Sequence, residues 1–343
     1  MIKPLNDTIG FRVLTTNGIK NIDSLNFGDK LYEYKTNNLL EVVKVRRYPI
    51  SQSIFIVKYS DGRKFIYGAN DLIFNGYRII KFEDLFDNIN RSSPIIQYPI
   101  DYKKLLNPLD PDPYVAGALL LYGNFDIPFI NLPISKSKAD NLFFNKYNMV
   151  FGENIRGGVV YFKYEHTDEL IRWDDFFKRY KVYVNEKHID DPLIPEEYIY
   201  SSINDRWQFI RGVFDLGYNE KDFADRIGIA SNYEYKLKEI QKILWCLGLL
   251  SNIVYDPYIT DKSTKYRLEI RASKHEYPGL FYDINNMEYN ISKETAFINH
   301  MHKFDVTIKS VECCGFGYIY NVEFKDRKNA LYLTDNFLPK VSL

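Results

Sequence analysis

From Gly10 to about Tyr102 the chain reads as short runs in which apolar and polar residues alternate: Arg12-Val13-Leu14-Thr15, Leu31-Tyr32-Glu33-Tyr34, Glu41-Val42-Val43-Lys44-Val45 and Ile54-Phe55-Ile56-Val57-Lys58-Tyr59. A period of two puts alternate side chains on opposite faces, so these runs predict half-buried β-strands. The turn Thr16-Asn17-Gly18 and the pair Asp61-Gly62, which precedes Lys64-Phe65-Ile66-Tyr67, supply hairpin signals between them. Alternation stops at the proline-bearing stretch from Asn107 to Pro113, which reads as a linker ending in a helix that starts on proline. Beyond it the spacing predicts helices over Val115–Leu121, Leu170–Tyr180, Asp205–Leu216 and Tyr235–Leu247. In the last of these Leu237, Ile240, Ile243, Leu244 and Leu247 share one face, and Gly248 follows as a C-cap. Strand-like runs, Gly158–Lys163 and Lys265–Ile270, lie among these helices, and from about Phe304 the β pattern resumes.

Composition narrows the picture. With 343 residues, 45% of them hydrophobic and 16% aromatic, the chain can bury substantial cores, and its length predicts about two or three domains. No run of about 18 apolar residues suits a membrane span. The start, Met1-Ile2-Lys3-Pro4-Leu5-Asn6-Asp7, has no apolar signal-peptide core, so an intracellular location is expected. Three cysteines, Cys246, Cys313 and Cys314, make no disulfide framework and lack zinc-site partners, and they read as core or strand residues. His166, His188, His275, His300 and His302 show no convincing ligand spacing, so neither a metal nor another cofactor is expected. The 45 basic residues equal the 45 acidic ones, which matters because duplex DNA binding draws on phosphate neutralisation by Lys and Arg.

The outer β segments resemble the Hint fold of inteins. Arg12–Gly18, Ile22-Asp23-Ser24-Leu25-Asn26-Phe27-Gly28-Asp29-Lys30-Leu31-Tyr32 and Tyr59–Phe65 look like its opening, and Gly317–Phe324 with Asn329–Phe337 look like its closing strands. The middle section resembles a LAGLIDADG homing endonuclease. Pro113–Gly123 is similar to the first signature helix and the stretch from Leu193 to Glu220 to the second, with the segment from Gly228 to Leu249 following it. The resemblance implies an α+β chain: an all-β, horseshoe-like Hint domain over residues 1–104 and 305–343, interrupted over residues 105–304 by a pseudo-two-fold αββαββ domain.

The chemistry of both families can be checked position by position. Splicing needs a thiol or hydroxyl nucleophile at the opening, where Asn6 stands, and a Thr-x-x-His element, where Gly68-Ala69-Asn70-Asp71 stands. The closing His-Asn is matched by Lys340-Val341. Each LAGLIDADG helix should end on a carboxylate that gathers Mg²⁺ at the DNA, yet the acid positions fall on Tyr122 and Gly217. Asp126, Asp215 and Glu220 are the nearby acids that a displaced, Mg-dependent site would use. Asp215 reads first as a helix-end residue, and Asp126 and Glu220 as exposed turn acids. The framework around these positions keeps its apolar pattern, which implies a fold still in use.

The expected function is therefore a domesticated, catalytically inactive pseudoenzyme acting as a structural or interaction component of a larger assembly of proteins. Its Tyr and Phe content suits interface anchors, although an AT-biased coding background also accounts for it and fits a virus or mobile element, with the chain as a virion component. One alternative is noncatalytic binding of double-stranded DNA through a basic lining of Lys163, Lys178, Arg179, Lys181, Lys265, Arg267, Arg271 and Lys274. A second alternative is an active homing endonuclease with displaced acids, the one case that implies Mg²⁺. Neither a membrane nor a small-molecule substrate is expected.

Overall fold

The computed structural model describes residues 11–47, 51–86, 95, 98–102, 109, 112–124, 129–132, 149–154, 157–162, 194–217, 227–255, 266–271, 280, 306–325 and 327–342. The chain divides into two compact units. One joins Met1–Tyr102 and Gly248–Leu250 to Met301–Leu343, and the other comprises Lys103–Leu247 with Ser251–His300.

The first unit is built from antiparallel ladders. β1 (Arg12–Thr15) and β2 (Gly18–Asn21) form a hairpin whose turn needs the positive φ of Gly18. With β3 (Lys30–Tyr32), β4 (Leu39–Arg47) and β17 (Tyr320–Phe324) they make a five-stranded sheet in the order β17-β4-β3-β1-β2. β5 (Gln52–Tyr59) lies between β6 (Lys64–Gly68) and β16 (Ile308–Gly317) in a sheet of three. β7 (Leu72–Phe74) pairs with β8 (Ile79–Lys81), which leads into α1 (Glu83–Phe86), and β18 (Leu331–Leu333) pairs with β19 (Pro339–Val341). Val13, Leu31, Val42, Ile54, Val57 and Val322 are buried in this unit. Burial alternates at the start of β4 and within each half of β5, whereas β1 buries Val13, Leu14 and Thr15 in succession and so is covered on both faces.

In the second unit Asp112 caps α2 (Pro113–Tyr122), its Oδ1 accepting from the Tyr114 N–H at 2.9 Å, and proline takes the first helical position. β9 (Gly123–Asn124), β10 (Phe129–Leu132), β11 (Met149–Asn154) and β12 (Gly157–Phe162) follow as a sheet ordered β11-β12-β10-β9. After α3 (Glu196–Ile199), Ser202 starts α4 (Ile203–Gly217). Its hydroxyl oxygen accepts from the Asp205 N–H at 3.2 Å and its O–H donates to the Asp205 carboxylate at 2.7 Å. β13 (Ile227–Ser231), α5 (Glu234–Cys246), β14 (Leu250–Tyr255) and β15 (Tyr266–Arg271) complete the described elements, with sheet order β13-β15-β14. The apolar face of α5 is buried as the spacing predicts, and the helix stops where Gly248 takes φ +80°. The buried Arg206 guanidinium of α4 donates to the Cys246 carbonyl at 2.7 Å, placing a cation on the carbonyl end of α5.

The expected horseshoe-like all-β domain is not what forms. Among the described residues the chain is a mixed α+β fold with five α-helices and several open antiparallel sheets. The five-stranded sheet ends at β2 and β17, the three-stranded one at β6 and β16, and no ladder curls these edges onto one another. The physical reason is that β4 and β5, neighbours in sequence, each pair with a different C-terminal strand, β17 and β16. Period-two alternation reports which face of a strand is buried. It does not report which strand lies beside it.

Candidate functional site

Two constellations join residues that the sequence singled out separately. The first is a buried ion pair in the first unit. Asp71 stands at the turn between β6 and β7, where its backbone N–H donates to the Gly68 carbonyl at 3.0 Å and its Oδ2 accepts the Gly68 N–H at 3.1 Å. The Gln52 side chain packs over Gly68, where a Cβ would lie 2.5 Å from its Cδ, and its Oε1 accepts the Asn70 N–H at 2.8 Å. Lys340, on β19, places its ammonium against Oδ2 of Asp71, and both side chains are 0% exposed.

Aromatic rings complete the enclosure. Lys340 Nζ lies 4.5 Å from the Tyr67 ring centroid and 5.9 Å from those of Phe11 and Phe65, distances at which ring quadrupoles attract a cation. The Tyr59 and Tyr67 hydroxyls sit 3.3 Å apart. Burial pushes the Tyr59 hydroxyl up to about 12 and the Tyr67 hydroxyl well above its ordinary value, so both stay protonated. Burial pulls the Lys340 ammonium below its ordinary value, while the Asp71 carboxylate beside it holds it up. A lysine and a carboxylate sealed together in this way anchor β19. With no solvent access to either side chain, the pair offers neither an exposed nucleophile nor a histidine for amide activation.

The second constellation is the seam between α2 and α4. A Cβ on Gly117 would lie 2.0 Å from the Phe209 carbonyl oxygen, and one on Gly212 would lie 1.9 Å from the Tyr114 carbonyl oxygen. Beyond those two carbonyl groups, the nearest atoms are the Val213 nitrogen for Gly117 at 3.2 Å and the Ala118 nitrogen for Gly212 at 3.1 Å. One constant offset along the chain carries Tyr114 onto Phe209, Gly117 onto Gly212 and Ala118 onto Val213. The seam therefore has a local two-fold relation, with backbone touching backbone at both crossings. The same offset carries Tyr122 onto Gly217, and these are the last residues of α2 and α4.

No carboxylate occupies either helix terminus. Asp215, two residues before the end of α4, is only 2% exposed, and its Oδ2 accepts the Tyr114 hydroxyl at 2.9 Å. That bond ties the last turn of α4 to the first turn of α2. Val341 is buried on β19 and pairs with Leu331. Asn6, Asp126 and Glu220 lie outside the described residues, as do the predicted helix Leu170–Tyr180 and all five histidines. Of the eight basic residues proposed for a DNA-binding lining, Arg267 lies on β15 and Arg271 ends it. Lys163, Lys178, Arg179, Lys181, Lys265 and Lys274 lie outside the described residues. Among the described residues no group of three or more His, Cys, Asp or Glu side chains is placed to hold a metal ion, and no helix is long and apolar enough to cross a membrane.

Sequence reasoning marked Asp71 and Lys340 as departures from a motif and missed that they meet. A usable signal was present: Lys340 is the lone charge in Phe337-Leu338-Pro339-Lys340-Val341, and a cation in an apolar strand requires a partner. A scan against protein-family models finds no match, and a search of curated proteins finds no similar protein. The terms Hint, LAGLIDADG and homing endonuclease thus gain no support beyond the motif fragments themselves, and the open sheets argue against the horseshoe that the first of them implies.

Proposed function

We propose that this chain is a noncatalytic structural or interaction component of a larger protein assembly. The observation that carries the reading is the Asp71–Lys340 pair. Two positions far apart in sequence, at which splicing chemistry would place reactive groups, are used instead to lock a strand in a solvent-free contact. Supporting it, α2 and α4 end on Tyr122 and Gly217 rather than on acids, and Asp215 is engaged with Tyr114 inside the seam. The likeness of these two helices to paired signature helices belongs to the same proposal, as a kinship of framework without the reaction. An intracellular setting, including a virion, suits this role.

The test is direct. Purified protein incubated with supercoiled plasmid and Mg²⁺ is expected to leave it intact, and in its native source the chain is expected to sediment in a complex larger than its own 40.6 kDa. Mg²⁺-dependent nicking that disappears in Asp126→Ala or Asp215→Ala protein overturns the proposal in favour of a nuclease with displaced acids. Binding of duplex DNA without cutting is the second reading. Its signature is an affinity that falls steeply with salt as phosphate contacts are lost.

A further inference from the structure

We infer that Cys313 and Cys314 form a vicinal-dithiol site for a trivalent arsenical, a soft, pyramidal centre that takes two sulfurs side by side. Adjacent cysteines in a regular strand point to opposite faces of the sheet and cannot share a ligand. Here the regularity is broken at that point. Cys313 pairs with Phe55 of β5 and Gly315 with Ile54, leaving Cys314 as the extra residue of a β-bulge, and Gly315 takes φ +133° to accommodate it. β16 is an edge strand of its sheet among the described residues, so ladder pairing through β5 leaves its other side without a strand.

Both thiols are free. Cys313 is exposed and Cys314 half-buried, with its Sγ donating weakly to the Ile54 carbonyl at 3.3 Å, whereas Cys246 is buried in the other unit. The two sulfurs also sense one another: burial first, and then Cys313, hold the Cys314 thiol above its ordinary value, so a second thiolate beside the first is disfavoured. A centre covalently bonded to both sulfurs removes that penalty, because neither remains a free thiolate. With an organoarsenoxide the two S–H groups are replaced by two As–S bonds, and both protons leave with the arsenoxide oxygen as water. No oxidant or reductant is required. A linear two-coordinate cation such as Cu(I) needs sulfurs on opposite sides of it and suits neighbouring residues poorly.

The probe is phenylarsine oxide. One equivalent added to the full chain is expected to shield two of the three thiols from a chromogenic disulfide under native conditions. The shielding should be reversed by 2,3-dimercaptopropanol and resist excess 2-mercaptoethanol. Cys313→Ser and Cys314→Ser proteins should each lose affinity by about 10²-fold, the usual worth of making a second bond intramolecular, while Cys246→Ser protein should bind as the parent does. Melting temperatures recorded in parallel separate lost binding from lost folding, and the exposed Cys313 is the variant that tolerates replacement. Failure of shielding in the folded parent overturns the proposal, and so does shielding that depends on Cys246 or yields equally to the monothiol.

Discussion

The ion pair in the first unit and the helix seam in the second meet one problem, the tight joining of two distant stretches of chain, in opposite ways. At Asp71 and Lys340 opposite charges are buried together, and the contact is favourable only while both are present. At Gly117 and Gly212 side chains are absent, and the contact exists because nothing stands between two backbones. A contact made of groups fails when one group is removed, and a contact made of space fails when one atom is added.

Removing one charge should have the largest effect. Lys340→Ala or Asp71→Ala leaves its partner buried and uncompensated, for a loss of about 3–5 kcal/mol by urea unfolding. The double variant Asp71→Leu/Lys340→Met should recover most of that loss. If each single variant proves as stable as the parent, the pair does not hold β19. Adding an atom comes next. Gly117→Ala and Gly212→Ala should each cost about 1–3 kcal/mol by overpacking the seam. Their effects should also be non-additive when combined, because the first already parts the helices.

A smaller effect is expected for Tyr114→Phe, which removes one hydroxyl donor from Asp215 and should cost about 1.5 kcal/mol. A change near zero would place the strength of the seam entirely in its glycines. The smallest effect at neutral pH is that of Tyr59→Phe, and it shrinks with alkalinity. The folded-state value of Tyr59 is raised above the unfolded one, so its contribution is full below pH 10 and is lost as pH climbs toward about 12. Over that window each such group steepens the fall in stability by up to roughly 1.4 kcal/mol per pH unit. Thermal melts of parent and Tyr59→Phe protein should therefore converge as pH rises, and parallel curves would remove Tyr59 from the account.

Local structure was largely legible in the sequence. Pro113 at a helix start, the Gly18 turn, the buried face of α5 and the Gly248 cap each follow from one residue type doing what its backbone or spacing allows. Strand partnership was not legible, and that is why the horseshoe expectation failed. β5 alternates in the same way whether β16, β17 or neither lies beside it. The candidate sites were half legible. Motif comparison picked out Asp71, Lys340, Tyr122 and Gly217 as departures, but a departure says what a position has lost. That Lys340 had gained Asp71, and that Tyr114 reaches Asp215, depend on contacts between residues far apart in the chain, which no window of sequence contains.

The pairing of β4 with β17 and of β5 with β16 has a consequence for how the protein is made. Strands near the two ends of the chain share ladders, and residues 103–300, most of them in the second unit, are synthesised between them. At ribosomal rates that interval lasts on the order of 10–40 s. During it β4 and β5 each lack one of their two native ladder partners, and their two sheets wait incomplete with open edges. The second unit can begin to fold before the first is whole. Completion of the first unit is then a late closing event, set by arrival of the C-terminal strands rather than by the order in which the chain emerged.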